Sequence, residues 1–206
     1  ILAHVDAGKT TFSEQILYHA HALRACGRVD HKDAFMDSHP IERERGITIF
    51  SDQACFDYDG DTWYLVDTPG HADFSSEMER ALSVMDYAVV VVSAVEGVQS
   101  HTETVWRLLE SYHVPAFVFL NKIDRAGADA DAVIARIRER LSGDALDLRG
   151  AFSADGTLSG EAVEAVAGGD EALLERYFTD GYDRDAFLES LRRQVKERRA
   201  FPLMAG

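Results

Sequence analysis

Lys9 and Thr10 close the stretch Ala3-His4-Val5-Asp6-Ala7-Gly8-Lys9-Thr10, which fits the phosphate-binding pattern G-x-x-x-x-G-K-[ST] except that Ala3 stands at the first position. These residue types suit a polyphosphate. Converging backbone N–H donors require a tight loop of small residues, which Ala7 and Gly8 supply. The Lys9 ammonium adds a point charge at the β- and γ-phosphates, and the Thr10 hydroxyl is suited to ligate Mg²⁺. A helix starting near Lys9 directs the positive end of its dipole at the same anion. Thr11 continues the stretch.

Two further stretches carry chemistry. Asp67-Thr68-Pro69-Gly70 follows an apolar strand and opens a loop. A carboxylate there can hold Mg²⁺ directly or through water, and the Gly70 N–H can sense a γ-phosphate with no side chain in the way. Asn121-Lys122-Ile123-Asp124 ends the strand Ala116–Leu120, at the edge of an open α/β sheet where ligands bind. Guanine presents N1–H and an exocyclic amine together, and the Asp124 carboxylate accepts both. Adenine lacks that pair and would leave the carboxylate unmatched. Asn121 can bridge loops and face the base, and the Lys122 stem can lie over the purine ring. Taken singly, each stretch also reads as an ordinary turn or strand end. In order, each at the C-terminal end of a strand and roughly fifty to sixty residues apart, they define a guanine nucleotide site.

The elements that must position these residues follow from periodicity. Phe12, Ile16, Ala20 and Leu23 recur at helical spacing, predicting a helix to about Cys26 that Gly27 ends. Residues 28–46 are polar and irregular. Ile47 to Tyr58 and Thr62 to Val66 read as strands joined by a tight Asp59-Gly60 turn. A helix near Ser75–Met85 precedes the unbroken apolar run Tyr87–Val92, which fits a strand buried on both faces. Helices marked by Val105, Leu109 and Tyr112 and by Val133, Ile137 and Leu141 flank the strand Ala116–Leu120. The alternation predicts an α/β fold with a mostly parallel sheet and helices on both faces. The rhythm fails over about 142–183, read as an irregular insertion with a short helical signal at Leu173–Phe178. It returns with the helix of Phe187, Leu191 and Val195 and the strand Phe201–Met204.

Composition narrows the classes. With 206 residues, 46% apolar and 10% aromatic, the chain has enough for one core. No apolar run approaches the ~18 residues of a membrane span, and no signal peptide is expected. Cys26 and Cys55 have no metal-ligand spacing, so a reducing cytoplasm is the expected setting. His19 and His21, two apart, point different ways and make no metal site. A net charge of −15 argues against autonomous nucleic-acid binding. The basic run Arg192, Arg193, Lys196, Arg198 and Arg199 is explained by dipole complementarity at a helix end. No membrane association and a monomer are expected.

On these motifs the chain resembles the G domain of the translational GTPases, in the branch containing elongation factor G and the tetracycline-resistance ribosomal protection proteins. The residues that carry the resemblance are Ala3 to Thr11, Arg45-Gly46-Ile47-Thr48-Ile49, Asp67-Thr68-Pro69-Gly70-His71 and Asn121-Lys122-Ile123-Asp124-Arg125. The likeness covers nearly all of residues 1–206 and is weakest between Ser142 and Gly169. It implies a P-loop NTPase fold that binds GTP or GDP with Mg²⁺ and hydrolyses GTP on the ribosome, contacted through the full-length protein. It further implies that Thr10, Thr48 and Asp67 serve the metal, with Thr48 in a mobile switch, and that His71 positions the attacking water. Val5 and Ile47 would form an apolar gate over His71, although ordinary packing explains them equally. Elongation factor G has a large subdomain where this chain has about forty residues, as the protection proteins do. That favours a protection-protein relative over an elongation factor G-like translocase, and the presence of His71 and Thr48 argues against a non-hydrolysing guanine nucleotide module. The chain starts at Ile1 with almost no first strand. It stops at Gly206, where relatives begin a Ser-Ala loop contacting guanine O6. The fragment is therefore expected to bind nucleotide weakly, with residues around 31–46 poorly ordered.

Overall fold

The computed structural model describes residues 1–23, 52–71, 75–158 and 160–206. Along these residues run β1 (Leu2–Ala3), α1 (Lys9–His19), β2 (Asp52–Tyr58), β3 (Asp61–Asp67), α2 (Ser75–Leu82), β4 (Ala88–Ser93), α3 (Ser100–Ser111), β5 (Ala116–Asn121), α4 (Ala130–Arg140), β6 (Ala145–Asp147), α5 (Glu161–Gly168), α6 (Glu171–Asp180), α7 (Arg184–Lys196) and β7 (Phe201–Ala205). Five strands pair in the order β1-β4-β5-β7-β6, every pair parallel. The helical crossovers that parallel pairing requires cover both faces, so the strands read as continuous apolar runs.

Alternation along β4 divides the core. Val90 and Val92 pack with Met78 and Leu82 of α2, Val105 and Leu109 of α3, and Ile134 and Ile137 of α4. Val89 and Val91 face the other way, with Ala3, Ala7, and Phe12 and Ile16 of α1. The same holds in β5. Val118 and Leu120 join the first layer, whereas the Phe119 ring lies 4.4 Å from that of Phe12. Each such Val or Leu, fully buried, contributes about 1.5–3 kcal/mol relative to exposure, so the sheet is a rigid platform for the loops at its edge.

β2 and β3 form an antiparallel hairpin whose turn places Asp59 and Gly60 both at positive φ, as a two-residue turn matched to strand twist requires. Ala54, Phe56 and Leu65 pack it on Leu17 and Leu23 beside α1. At its far end the Ile1 nitrogen donates to the Val66 carbonyl at 2.5 Å. The Thr68 N–H and hydroxyl donate to the Ile1 carbonyl at 3.3 and 2.8 Å. These bonds hold the end of β3 against β1.

Two expectations are corrected. The first helix stops at His19, not near Cys26. His21 adopts a left-handed φ of 59°. The His21 N–H bonds the Tyr18 carbonyl and the Ala22 N–H the Leu17 carbonyl. This is a Schellman stop made without glycine, and the apolar periodicity continues past it because Leu23 folds back onto Leu17. Cys26, Gly27 and the expected disorder of 31–46 lie outside the described residues, as does the Ile47–Ser51 part of the second strand.

The second correction concerns 142–183, which is not irregular. It holds β6, paired to β7, and the helices α5 and α6. These share a core of Leu148, Leu158, Val163, Val166, Leu173, Phe187 and Leu191 under Phe117 of the sheet. The buried face of α5 is Ala162, Val163, Val166 and Ala167, too small to give a strong periodic signal. Asp170 caps α6 through the Leu173 N–H and also accepts from Ser190 at 2.5 Å and from Arg193. The Gln194 amide donates to the Val166 carbonyl at 2.9 Å. Arg198 donates to the Leu109 and Val114 carbonyls, and Arg199 to that of Gly169. Much of the basic run thus ties helices and loops together.

Candidate nucleotide site

The sequence motifs meet at the C-terminal ends of β1, β3, β4 and β5, the edge where open α/β sheets bind ligands. The loop from His4 to Gly8 folds tightly: the Ala7 N–H reaches the His4 carbonyl, and both Asp6 (φ 63°) and Gly8 (φ 91°) are left-handed. Gly8 precedes Lys9, so the N–H groups of the first turn of α1 open onto the loop. Thr10 and Thr11 stand on that turn.

Across the loop, the Lys9 Nζ donates to Asp67 Oδ1 at 2.6 Å, with the Lys9 side chain 7% and that of Asp67 0% exposed. The second carboxylate oxygen of Asp67 is buried and has no hydrogen-bond partner among the described residues. Gly70 lies against the start of the same loop, where a Cβ would stand 3.2 Å from the Ala3 carbonyl oxygen. His71 follows, half-buried.

The base-binding stretch is joined to the phosphate loop directly. Asn121 Nδ2 donates to the Ala7 carbonyl at 2.8 Å, and a Cβ on Gly8 would lie 2.2 Å from that nitrogen. The chain then turns through Lys122 (φ 62°), closed by the Arg125 N–H on the Lys122 carbonyl, and leaves Asp124 exposed. The Ala94 N–H on the Asn121 carbonyl and the Asp129 N–H on the Ala94 carbonyl brace this turn from β4. Val5 is 36% exposed at the rim. Its expected gate partner Ile47, and Thr48, lie outside the described residues.

One pairing had no signal in the sequence. His4 Nε2 and Glu96 Oε2 are 2.7 Å apart. That contact is the main reason the Glu96 carboxyl is held below the usual carboxylate range; burial opposes it and the charges of Lys122 and His4 assist. Glu96 belongs to no motif, and it reaches His4 because the parallel pairing of β1 with β4 sets the loops after the two strands side by side. Nearby, burial pushes the His101 imidazole down, helped by the charges of His4 and His71. Three imidazoles therefore share one neighbourhood beside the phosphate loop.

The donor set fits Mg²⁺. No cluster of three or more His, Cys, Asp or Glu side chains able to hold a metal occurs among the described residues. Mg²⁺ in phosphate sites uses one or two side chains plus phosphate oxygens and water. Asp67, with its buried spare oxygen, and Thr10 match that need.

A glycine-turned loop at a helix start, a buried lysine–aspartate pair and an asparagine bridging to a base-reading turn together define a P-loop nucleotide-binding domain. The chain belongs to the family of the elongation factor Tu GTP binding domain, whose model matches residues 1–205. It is 36% identical to tetracycline resistance protein TetP of Clostridium perfringens and 41% to the oxytetracycline resistance protein of Streptomyces rimosus. Each comparison covers 100% of this chain and 34% of the relative. Identity to elongation factor G 2 of Streptomyces coelicolor is 51%, over 68% of this chain and 21% of that protein. A crystal structure of a Thermus thermophilus protein superposes with a TM-score of 0.88 at 27% identity, covering 100% of this chain and 36% of its own. The chain spans about a third of the length of the tetracycline-resistance relatives it matches. Guanine nucleotide binding and GTP hydrolysis are the properties of this family. Among the described residues no helix is long and apolar enough to cross a membrane.

Proposed function

We propose that the chain is the GTP-hydrolysing domain of a ribosome-acting translation factor most like the tetracycline-resistance proteins. The observation that carries the reading is the junction of Asn121 with the phosphate loop, through the Ala7 carbonyl and the side of Gly8. It sets a base-reading turn at a fixed reach from Lys9. Asp124 reads the guanine N1–H and amine, Asn121 and the Lys122 stem frame the base, and the loop from His4 to Thr11 holds the phosphates. Lys9, now held by Asp67, is the charge that meets the β- and γ-phosphates. Asp67 and Thr10, joined by Thr48 in the GTP state, would hold Mg²⁺, which would neutralise charge on the phosphate oxygens. Gly70 senses the γ-phosphate by its N–H and sets His71 beside the attacking water. Val5 and Ile47 gate that approach.

The resistance-protein reading is supported by the full coverage of this chain in both such relatives, against 68% in elongation factor G 2. It is tested with the full-length protein by ribosome-stimulated GTP hydrolysis and by rescue of translation from tetracycline. Stimulated hydrolysis without rescue would favour the translocase reading.

A further inference from the structure

Glu96 stands outside every motif; its side chain is 42% exposed, yet its backbone is braced on several sides. Its N–H and that of Val95 both point to the Ser93 hydroxyl at 3.3 Å. Its carbonyl accepts from the Gln99 side chain at 2.6 Å, and the Gly97 N–H returns to the Ser93 carbonyl at 2.8 Å. This loop is in turn fixed to the base-reading stretch by the Ala94 N–H on Asn121. From this braced position the Glu96 carboxylate reaches the His4 ring at 2.7 Å.

An ionised carboxylate only accepts. The proton of that contact is therefore on His4 Nε2; the other ring nitrogen is Nδ1. That atom is buried and has no partner among the described residues, while the His4 side chain is only 9% exposed. The backbone of His4 is the surface on which Gly70 rests, since a Cβ on Gly70 would lie 3.5 Å from both the carbonyl carbon and oxygen of His4. His71 is the next residue. Glu96 feels the charges of His4 and of Lys122 at the base turn, and His101 on α3 feels those of His4 and His71.

We propose that Glu96 is a positioning residue for GTP hydrolysis, fixing the ring of His4 and through it the place of Gly70 and His71. This rests on the role given to His71 above.

The test compares Glu96→Ala, Glu96→Gln and His71→Ala in the full-length protein by single-turnover, ribosome-stimulated GTP hydrolysis, alongside GDP affinity. Misplacement of a reacting group costs roughly ten- to hundred-fold in rate. Glu96→Ala is expected to lose that much in kcat, with KM for ribosomes and GDP affinity unchanged within about two-fold. Glu96→Gln, which keeps an acceptor oxygen, should recover most of the rate. Nitrogen-15 spectra should show a hydrogen-bonded His4 Nε2–H in the parent that exchanges faster with water in Glu96→Ala. If His71→Ala is slow while Glu96→Ala is as fast as the parent, the positioning role is overturned and that of His71 stands. If His71→Ala is itself unaltered, the reading beneath both fails. Loss of GDP affinity in step with rate in Glu96→Ala, without recovery in Glu96→Gln, would make the contact structural and also overturn the proposal.

Discussion

The amide nitrogen of Asn121 lies 2.8 Å from the Ala7 carbonyl, and a methyl group on Gly8 would lie 2.2 Å from that nitrogen. Base-reading and phosphate-holding loops are thus one unit. Gly8 is required twice over, since its φ of 91° alone costs an L-residue about 1–2 kcal/mol. Gly8→Ala should lower GDP affinity at least about ten-fold, the equivalent of 1.4 kcal/mol. Because the clash is with Asn121, Gly8→Ala/Asn121→Ala should lose less than the sum of the single losses. Calorimetric titration reads both, and strict additivity would mean that the two loops are not coupled.

Asp124 is exposed at the end of the turn that Asn121 and Lys122 begin. Asp124→Asn exchanges an acceptor for a donor, so preference should move from guanine to xanthine, which bears a carbonyl in place of the amine. Competition between GTP and XTP for the full-length variant measures this. A retained preference for GTP would remove Asp124 from the base site.

The Lys9–Asp67 pair is buried on both sides. Removing one partner of such a pair costs about 3–5 kcal/mol, while replacing both with apolar groups is close to neutral. Lys9→Met and Asp67→Ala should each lower stability by about that much in chemical unfolding without nucleotide, and Lys9→Met/Asp67→Leu should recover much of the loss. In Asp67→Asn, nucleotide affinity should respond less to added Mg²⁺ than in the parent. An unchanged Mg²⁺ response would separate Asp67 from the metal.

Gly169 meets Gln194 with no room to spare, since a Cβ would stand 2.0 Å from its Oε1, and Gln194 is itself held by Val166. Gly169 is exposed, but its Cβ would push the buried Gln194 amide off the Val166 carbonyl, so Gly169→Ala should cost about 1–3 kcal/mol, the penalty of leaving a buried polar group unsatisfied. An unfolding curve that does not move would indicate that the packing of α5 against α7 is loose.

The phosphate and guanine stretches were legible because each is contiguous and its chemistry fixes its residue types. The sheet was legible because 88–92 and 116–120 are unbroken apolar runs, β4 nearly all buried and β5 alternating buried with half-buried. Three features were not. The end of α1 depends on a left-handed His21, a conformation no sequence rule assigns to histidine. The folded state of 142–183 depends on small residues in α5 and on Asp170 bonding residues some twenty positions away. Glu96 meets His4 across 92 residues, and no local pattern encodes that contact.

The account stands most directly on phosphate release from GTP by the full-length protein, with and without ribosomes, beside His71→Ala. Ribosomes should raise the parent's rate on GTP and leave ATP unhydrolysed. His71→Ala should bind GTP nearly normally and lose about 10²–10⁴ of the stimulated rate, the contribution of a positioned proton-handling group. A rate that ignores ribosomes, or an unchanged rate in His71→Ala, would contradict it.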